Sequence, residues 1–276
     1  MFEYILEMLS YEFMLRAVIV GLLVTLCASL LGVSMVLKRY SMIGDGLSHV
    51  GFASLAVASA LNVAPLKVAI PVCIVAAFLL LRLSSNSKIK GDSAVAIVCS
   101  GSLAVGVMVV SMSSGMNTDV NNYMFGSILS LSNEDTWITV ALSVVVIVMF
   151  ILFYNRIFAV TFDENFAKAT GTKAGIYNMI LAILTAVTVV IGMRMMGALL
   201  ISSLIIFPSL TSMRVCKTYR GVILCSVIVG VACFLIGIVT SVIWDAPTGA
   251  SIVCVNLVML ILFAIAGRIK QRVFIK

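Results

Sequence analysis

Long apolar segments separated by short polar ones set the pattern of this chain. The apolar runs are continuous, whereas the strands of a membrane barrel alternate apolar and polar residues. Runs of this length cross hydrocarbon as α-helices. We therefore predict an all-α integral membrane protein, a polytopic bundle of about eight to nine transmembrane helices, because some candidate spans are short and one helix can be broken. The nine candidate spans are 13–37, 42–61, 66–82, 93–114, 136–156, 176–193, 196–213, 221–243 and 250–267.

Composition agrees with a bilayer as the solvent. Of 276 residues, 62% are hydrophobic and 11% are charged, against about 45–50% and about 25% in soluble domains. The first residues carry three glutamates and no basic cluster, which predicts that the first span is retained and not cleaved as a signal peptide. The sequence contains no P-loop motif for ATP, and residues 1–276 are interpreted as one transmembrane domain.

Seven cysteines are scattered along the chain without CxxC spacing. This pattern argues against a disulfide framework or a metal cluster built from cysteines alone. The six that lie in apolar runs are interpreted as small buried hydrophobic residues: Cys27, Cys73, Cys99, Cys225, Cys233 and Cys254.

Basic residues predict the orientation of the spans. If the loops at 38–41, 82–92, 156–175 and 214–220 and the C-terminal tail share the cytoplasmic side, that side holds 15 of the 18 Lys and Arg residues. The positive-inside rule then places the N-terminus outside and the C-terminus in the cytoplasm. Most acidic residues fall on the outer side. The net charge of +7 is explained by this bias and requires no nucleic-acid partner.

Two ionisable residues interrupt the second span. Asp45 and His49, the only histidine, are spaced i, i+4 and therefore share one helix face. A local Asp–His hydrogen bond that fixes packing is one interpretation. The other is a pair of ligands for a divalent transition metal, because imidazole and carboxylate together suit such ions. Gly44, Gly46 and Gly51 leave the helix small enough for close approach, so two copies related by a two-fold axis would supply four ligands.

The loop FDENFAKATGTKAG, residues 162–175, predicts a helix of about two turns. Asp163 is placed as its N-cap, Glu164 in its first turn, and Gly171 at the C′ position. Phe162, Phe166 and Ala169 give it an apolar side. It is either an ordinary capped helix on the bilayer surface or a knob that fits a groove on a cytoplasmic partner.

These features resemble the ABC-3 family, the membrane permease subunits of bacterial ABC importers for zinc and manganese. The likeness is carried by five ordered segments that span nearly the whole chain: VLKRYSMIGDGLSHVGFASLAVA, NYMFGSILSLSNEDTW, FDENFAKATG, MRMMGALLISSLIIFPSLTS and WDAPTGASIV. The chain departs from the family pattern at Gly46, where alanine or threonine is common, and at Ser203, where alanine is common.

The resemblance implies a plasma-membrane importer with several partners. It implies a permease dimer with the metal path at its interface, two cytoplasmic ATP-binding subunits below it, and an extracellular metal-binding protein that delivers the ion. The permease itself is then not an enzyme and has no cofactor, the metal being its substrate. Asp45 and His49 map onto the family's metal ligands. The coupling helix that contacts the ATPase maps onto 163–171, with Asp163, Glu164, Phe166, Ala167, Ala169 and Gly171 as its residues.

The metal and the mode of energy coupling stay open at this point. Zn²⁺ is the first expectation, because histidine with carboxylate suits it, and manganese or iron is the alternative within the same family. A stand-alone metal transporter would use the same buried ligands but need no docking helix. A membrane scaffold without transport would leave Asp45 and His49 unexplained.

Overall fold

A computed structural model describes residues 12–86, 91–112 and 133–274. Every regular element in those ranges is an α-helix, which confirms the all-α bundle. Most of the predicted 115–135 loop lies outside the described residues, and so do the two ends of the chain. The helices are α1 (Glu12–Leu37), α2 (Ser41–Ala60), α3 (Pro65–Asn86), α4 (Gly91–Met112), α5 (Asn133–Leu152), α6 (Tyr154–Phe162), α7 (Glu164–Ala169), α8 (Ala174–Met196), α9 (Ala198–Met213), α10 (Tyr219–Trp244) and α11 (Thr248–Phe274).

Each of the nine predicted spans overlaps a helix, although the predicted 136–156 span runs past the end of α5 at Leu152 into α6. Within the described ranges, seven helices are long and apolar enough to cross a membrane. The other two predicted spans are α2 and α9. The glycines, serines and ionisable residues of α2 lower its hydropathy, and α9 has 16 residues. Most of α2 is buried against other helices. A helix enclosed by protein needs no apolar surface toward lipid, which explains why hydropathy alone fails to select it.

The centre of the bundle is formed by α1 and α8. In their most apolar stretches 67% and 72% of residues are buried, against 17% to 44% in the other five candidate spans. Around them, α2 packs between α3 and α4 on one side, and α9 packs with α10 and α11 on the other. Gly197 alone links α8 to α9, and its φ of +88° permits the tight connection between the two helices.

Charged side chains lie in two groups at opposite ends of the bundle. At the end where α1 begins and α8 finishes, Arg194 bonds to Asp135 at 2.8 Å, and Arg16 donates to Asn133. At the other end, Lys38 follows α1 and contacts Glu164. We call these the Arg194 end and the Lys38 end. Arg16 and Arg194, which the charge pattern assigned to the outer side, lie at the Arg194 end. Lys38, which it assigned to the cytoplasmic side, lies at the other end.

Glycine allows α1 and α9 to approach closely. A Cβ atom built at Gly32 would fall inside the contact distance of the Ile205 carbonyl oxygen and 2.7 Å from the Ser209 hydroxyl. A backbone carbonyl cannot rotate away as a flexible side chain can. The crossing of α1 and α9 therefore depends on the absence of a side chain at position 32.

We expect Gly32→Ala to lower the free energy of unfolding by about 1–3 kcal/mol, because the added methyl group forces the two helices apart. The measurement is thermal unfolding of the purified chain in detergent. Gly101→Ala is the matched control, since nothing lies within 4 Å of a Cβ at that position. The control should be neutral, or stabilising by up to about 1 kcal/mol from helix propensity. Equal behaviour of the two variants would contradict the tight crossing.

Candidate metal centre

Asp45 and His49 lie on one stripe of α2, as the i, i+4 spacing predicted. His49 Nε2 is 3.9 Å from Asp45 Oδ2, which is longer than a hydrogen bond. The Asp45 side chain is 35% exposed, and the His49 side chain is 21% exposed. The interpretation that they merely form a local hydrogen bond is therefore not met, and their ligand atoms remain available for a third atom placed between them.

A third donor atom comes from another helix. The ligand atoms of Asp45, His49 and Cys99 all lie within 4.8 Å of one another. Cys99 is on α4, which runs in the same direction as α2 and packs against it: Gly46 faces Val95 and Cys99, and Gly106 faces Phe52. Cys99 is partly exposed, as is Cys225, and Cys254 is exposed. The expectation of a buried hydrophobic residue is therefore confirmed for Cys27, Cys73 and Cys233 and wrong for these three.

The stripe continues into an apolar cavity. Ala53 and Val57 follow Asp45 and His49 at four-residue intervals and line a cavity of about 460 Å³ between α2, α3 and α4. Because α2 runs from the Lys38 end toward the Arg194 end, the cavity lies between the Asp45–His49 pair and the Arg194 end. Its walls are formed mainly by valine, alanine and isoleucine side chains, with Ser54 and Ser102 as polar members.

The pair also lies at the surface of the isolated chain. A carboxylate that is 35% exposed inside a span costs about 2.5–3.5 kcal/mol if lipid surrounds it. Such residues normally face protein or a water-filled path. The helices in the described part of the chain leave this stripe of Asp45 and His49 partly open.

The short helix α7 has the predicted caps. The Asp163 carboxylate accepts a hydrogen bond from the Phe166 N–H at 2.9 Å. Gly171 has a φ of +81°, and its N–H donates to the Lys168 carbonyl at 3.0 Å while the Thr172 N–H donates to the Ala167 carbonyl at 2.9 Å. These two bonds form a Schellman motif. The local prediction for 163–171 is confirmed, whereas its role stays a prediction.

Burial divides the side chains of α7 into two groups. Ala167 is buried and packs with Val160 and Ala174, so it fixes the helix to the bundle. Phe166 is 65% exposed and Phe162 is 59% exposed. Ala169 is exposed as well. Phe166 and Ala169 of the predicted apolar side are thus exposed, whereas Phe162, at the end of α6, also contacts the rings of Phe158 and Tyr219. The buried contact of α7 is made by the smaller Ala167.

Lys38 connects α7 to the start of α2. Its side chain is 6% exposed, and its Nζ donates to the Val160 carbonyl at 3.0 Å and to Asn178 Oδ1 at 2.6 Å, with Glu164 Oε2 at 3.4 Å. The Asn178 amide donates to the same Glu164 oxygen at 3.0 Å. The three protons of the ammonium are thus matched by three acceptors. We call Lys38, Glu164 and Asn178 the Lys38 network.

Hydrogen bonds and nearby charges keep the Glu164 carboxylate ionised at neutral pH. The hydrogen bond from Lys168, together with those from Asn178 and the charge of Lys38, outweighs burial and lowers the pKa of Glu164 to about 2. Burial lowers the pKa of Lys38, and the nearby Glu164 carboxylate opposes that change. Glu164 therefore stays an anion well below neutral pH, and it balances a lysine that has little contact with water.

The turn between α1 and α2 is tight. Arg39 adopts a left-handed conformation with φ of +60°. Its N–H donates to the Val36 carbonyl at 3.0 Å, and the Tyr40 N–H donates to the Met35 carbonyl at 2.8 Å. Because α2 begins at Ser41, only this short turn separates Lys38 from the helix that carries Asp45. A displacement of Lys38 would therefore reach the start of α2.

Sequence reasoning missed three residues at these sites. From the sequence, Lys38 is a basic loop residue, Asn178 lies in an apolar span, and Cys99 resembles the other cysteines of the apolar runs. The signal for Lys38 was its position directly before the second span. Asn178 and Cys99 carried no local signal, because their partners are 14 and 50 or more positions away in the sequence.

Comparison with known proteins shows relatives along nearly the whole chain. The ABC 3 transport family matches residues 10–267. The chain is 28% identical over 260 residues to the manganese transport system membrane protein MntC of Halalkalibacterium halodurans, covering 94% of this chain and 88% of that protein. It is 27% identical over 253 residues to the high-affinity zinc uptake system membrane protein ZnuB of Haemophilus influenzae, covering 91% and 97%. The solved structure of PsaBC from Streptococcus pneumoniae in complex with Fab matches with a TM-score of 0.86 and 25% identity over 95% of both chains.

We expect Glu164→Gln to loosen α7, because Lys38 would lose the anion that balances its charge. Discounted for the exposure of Glu164, the loss is about 1 kcal/mol, or roughly fivefold in the opening equilibrium. Hydrogen exchange of the α7 amides measures it, and Glu134→Gln at the Arg194 end is the control. In the wild type, protection should hold from neutral pH to about pH 4, since a lowered carboxylate pKa preserves its contribution until the pH falls toward that value. Unchanged exchange in Glu164→Gln would contradict the role of the network.

Proposed function

The chain belongs to the ABC 3 transport family, and on that premise we propose that it is the membrane-spanning permease subunit of an ATP-driven importer for divalent transition metal ions. One observation carries the proposal: a carboxylate and the only imidazole of the chain share a stripe of α2, 3.9 Å apart, inside an otherwise apolar bundle. Ionisable residues in such a position normally mark a path for a charged substrate.

Zinc is the proposed substrate. Imidazole together with carboxylate is a common donor set for Zn²⁺, whereas an oxygen-rich set favours Mn²⁺. Relatives with similar identity are named for manganese transport and for zinc uptake, so the names alone do not separate the two metals. Manganese is the second candidate and iron the third. The ion should bind weakly, because a site that holds it tightly would prevent release.

A second copy of the permease is the proposed cover for α2. Asp45 and His49 are exposed on one face of the chain, and the adjoining cavity opens on the same part of the bundle. Two copies facing each other there would enclose both pairs away from lipid and form a path between them. Gly44, Gly46 and Gly51, which the sequence suggested would serve this contact, instead face other helices of the same chain, so the proposal rests on the exposure of Asp45 and His49.

The Lys38 end is the proposed cytoplasmic side of the plasma membrane. Most Lys and Arg residues of the loops lie there, which agrees with the positive-inside rule. The N-terminus is then outside and the C-terminus is in the cytoplasm. An extracellular metal-binding protein would deliver the ion at the Arg194 end, from which the cavity leads toward Asp45 and His49.

Helix α7 is the proposed docking site for a separate ATP-binding subunit. The exposed Phe162 and Phe166 offer an apolar surface to that subunit, while Ala167 and the Lys38 network hold the helix to the bundle. ATP binding would move α7, and Lys38 would pass the displacement to the start of α2. ATP hydrolysis belongs to the partner, and the permease catalyses no reaction. A stand-alone transporter would leave this exposed surface without a use.

We expect Asp45→Asn and His49→Ala to abolish metal uptake while the complex still assembles, because each removes a ligand without filling the bundle. Uptake of Zn²⁺ and Mn²⁺ into vesicles that contain the complete reconstituted importer measures this. Asp245→Asn is the control, since it makes the same chemical change at the end of α10, where its left-handed backbone (φ +49°) accepts asparagine. Near-normal uptake by both site variants at equal protein level would remove these residues from the metal path.

We expect Phe166→Asp to abolish the binding of the ATP-binding subunit, because a charge would enter an apolar contact. The measurements are co-purification of the ATPase and stimulation of ATP hydrolysis by metal. Asn165→Asp is the matched control: it adds the same charge to the same helix at an exposed position and leaves the phenyl ring in place. If Phe166→Asp retains both properties, α7 is a surface helix without a docking role.

A further inference from the structure

We propose that Cys99 is a third ligand of the transported metal ion, and that its thiolate makes the site favour Zn²⁺ over Mn²⁺. This inference rests on the proposed function, because it adds a donor to the site of Asp45 and His49. It concerns a residue from a different helix, α4, and a different kind of ligand atom, sulfur.

The distances permit one ion to contact all three residues. Their ligand atoms lie within 4.8 Å of one another. In a tetrahedral zinc site the ligand atoms are about 3.3–3.8 Å apart, given Zn–N and Zn–O bonds of about 2.0–2.2 Å and Zn–S bonds of about 2.3 Å. Contraction by roughly 1 Å, which side-chain rotation can supply, would complete the site without a shift of either helix.

Gly46 shows how closely α2 and α4 pack beside the thiol. A Cβ at position 46 would lie 3.7 Å from Cys99 Sγ, which is ordinary van der Waals contact, and 3.3 Å from a Val95 methyl. The residue directly after Asp45 thus packs against the turn of α4 that carries Cys99, which places the sulfur near the carboxylate and the imidazole.

Other cysteines of the bundle have a different environment. Cys27 and Cys73 are fully buried, and their thiols donate to the carbonyls of Ser143 at 3.6 Å and Leu47 at 3.8 Å. Cys99 is partly exposed, as are Cys216 and Cys225, and Cys254 is exposed, so the position of Cys99 beside Asp45 and His49 distinguishes it rather than its exposure. Among the residues that the structure describes, the group of Asp45, His49 and Cys99 is the one set of three histidine, cysteine or acidic side chains that converge.

The chemistry of this donor set predicts a preference between metals. Zn²⁺ would replace the thiol proton, which leaves to water as the S–Zn bond forms, with no change of oxidation state. Three protein ligands leave one position open, as in zinc sites that exchange a water or a substrate. Thiolate is a soft ligand that suits Zn²⁺, whereas Mn²⁺ prefers oxygen. Without Cys99, the remaining carboxylate and imidazole would discriminate less.

Cobalt(II) provides a direct test of sulfur ligation. Co²⁺ is added to the complete purified transporter, and a near-ultraviolet thiolate-to-cobalt charge-transfer band reports a Co–S bond. We expect the band in the wild type and in Cys254→Ala, and its loss in Cys99→Ala and Cys99→Ser. In reconstituted vesicles the ratio of Zn²⁺ to Mn²⁺ uptake should fall by about tenfold in both Cys99 variants, a typical effect of weakening a metal site.

The outcomes separate this inference from the proposed function. If the band and the uptake ratio are unchanged in both Cys99 variants while Asp45→Asn abolishes uptake, Cys99 is not a ligand and the proposed function stands. If Asp45→Asn transports normally, the proposed metal path fails, and the band alone decides whether sulfur binds metal. Cys99→Ser retains nearly the same volume as cysteine, so a loss of the band in that variant, with unchanged thermal unfolding, excludes a packing defect.

Discussion

The cost of exposing a polar group to hydrocarbon is the constraint on which the rest of this structure depends. Backbone groups satisfy it within each helix, and hydroxyl groups satisfy it locally: Ser209 and Ser212 donate to the carbonyls of Ile205 and Pro208, and Thr185 and Thr188 do the same on α8. Ionisable groups cannot be satisfied so cheaply. In the described residues they lie mainly at the two ends of the bundle, with Asp45 and His49 on α2 as the exception.

Neighbouring helices leave one face of α2 partly open, and the proposed function depends on this face. Asp45 and His49 remain partly exposed although most of their helix is buried. A chain that folded only for stability would gain by replacing them with apolar residues, as is often true of buried ion pairs. Their presence beside an apolar cavity instead fits a protein whose metal path is completed by a second copy, as we propose.

The Lys38 network gives this path a mechanical connection. A buried lysine is costly unless every proton finds an acceptor, and here the acceptors come from α6, α7 and α8. The same lysine lies one short turn before α2, so the group that satisfies it also joins the exposed helix α7 to the start of the helix that carries Asp45 and His49. In the function that we propose, this contact would pass a displacement of α7 to α2.

Features that depend on neighbours along the chain were determined by the sequence itself. The nine helical segments, the caps of α7 at Asp163 and Gly171, and the shared face of Asp45 and His49 all follow from local periodicity and backbone geometry. The sequence also placed Arg194 and Lys38 on different sides through the order of the spans. Tertiary structure alone decided that α2 is enclosed despite its low hydropathy, that Cys99 faces Asp45, and that Lys38 is buried against Glu164 and Asn178. Those contacts join helices far apart in the sequence, and they arise from how glycines such as Gly46 let particular helices approach, which no local pattern encodes.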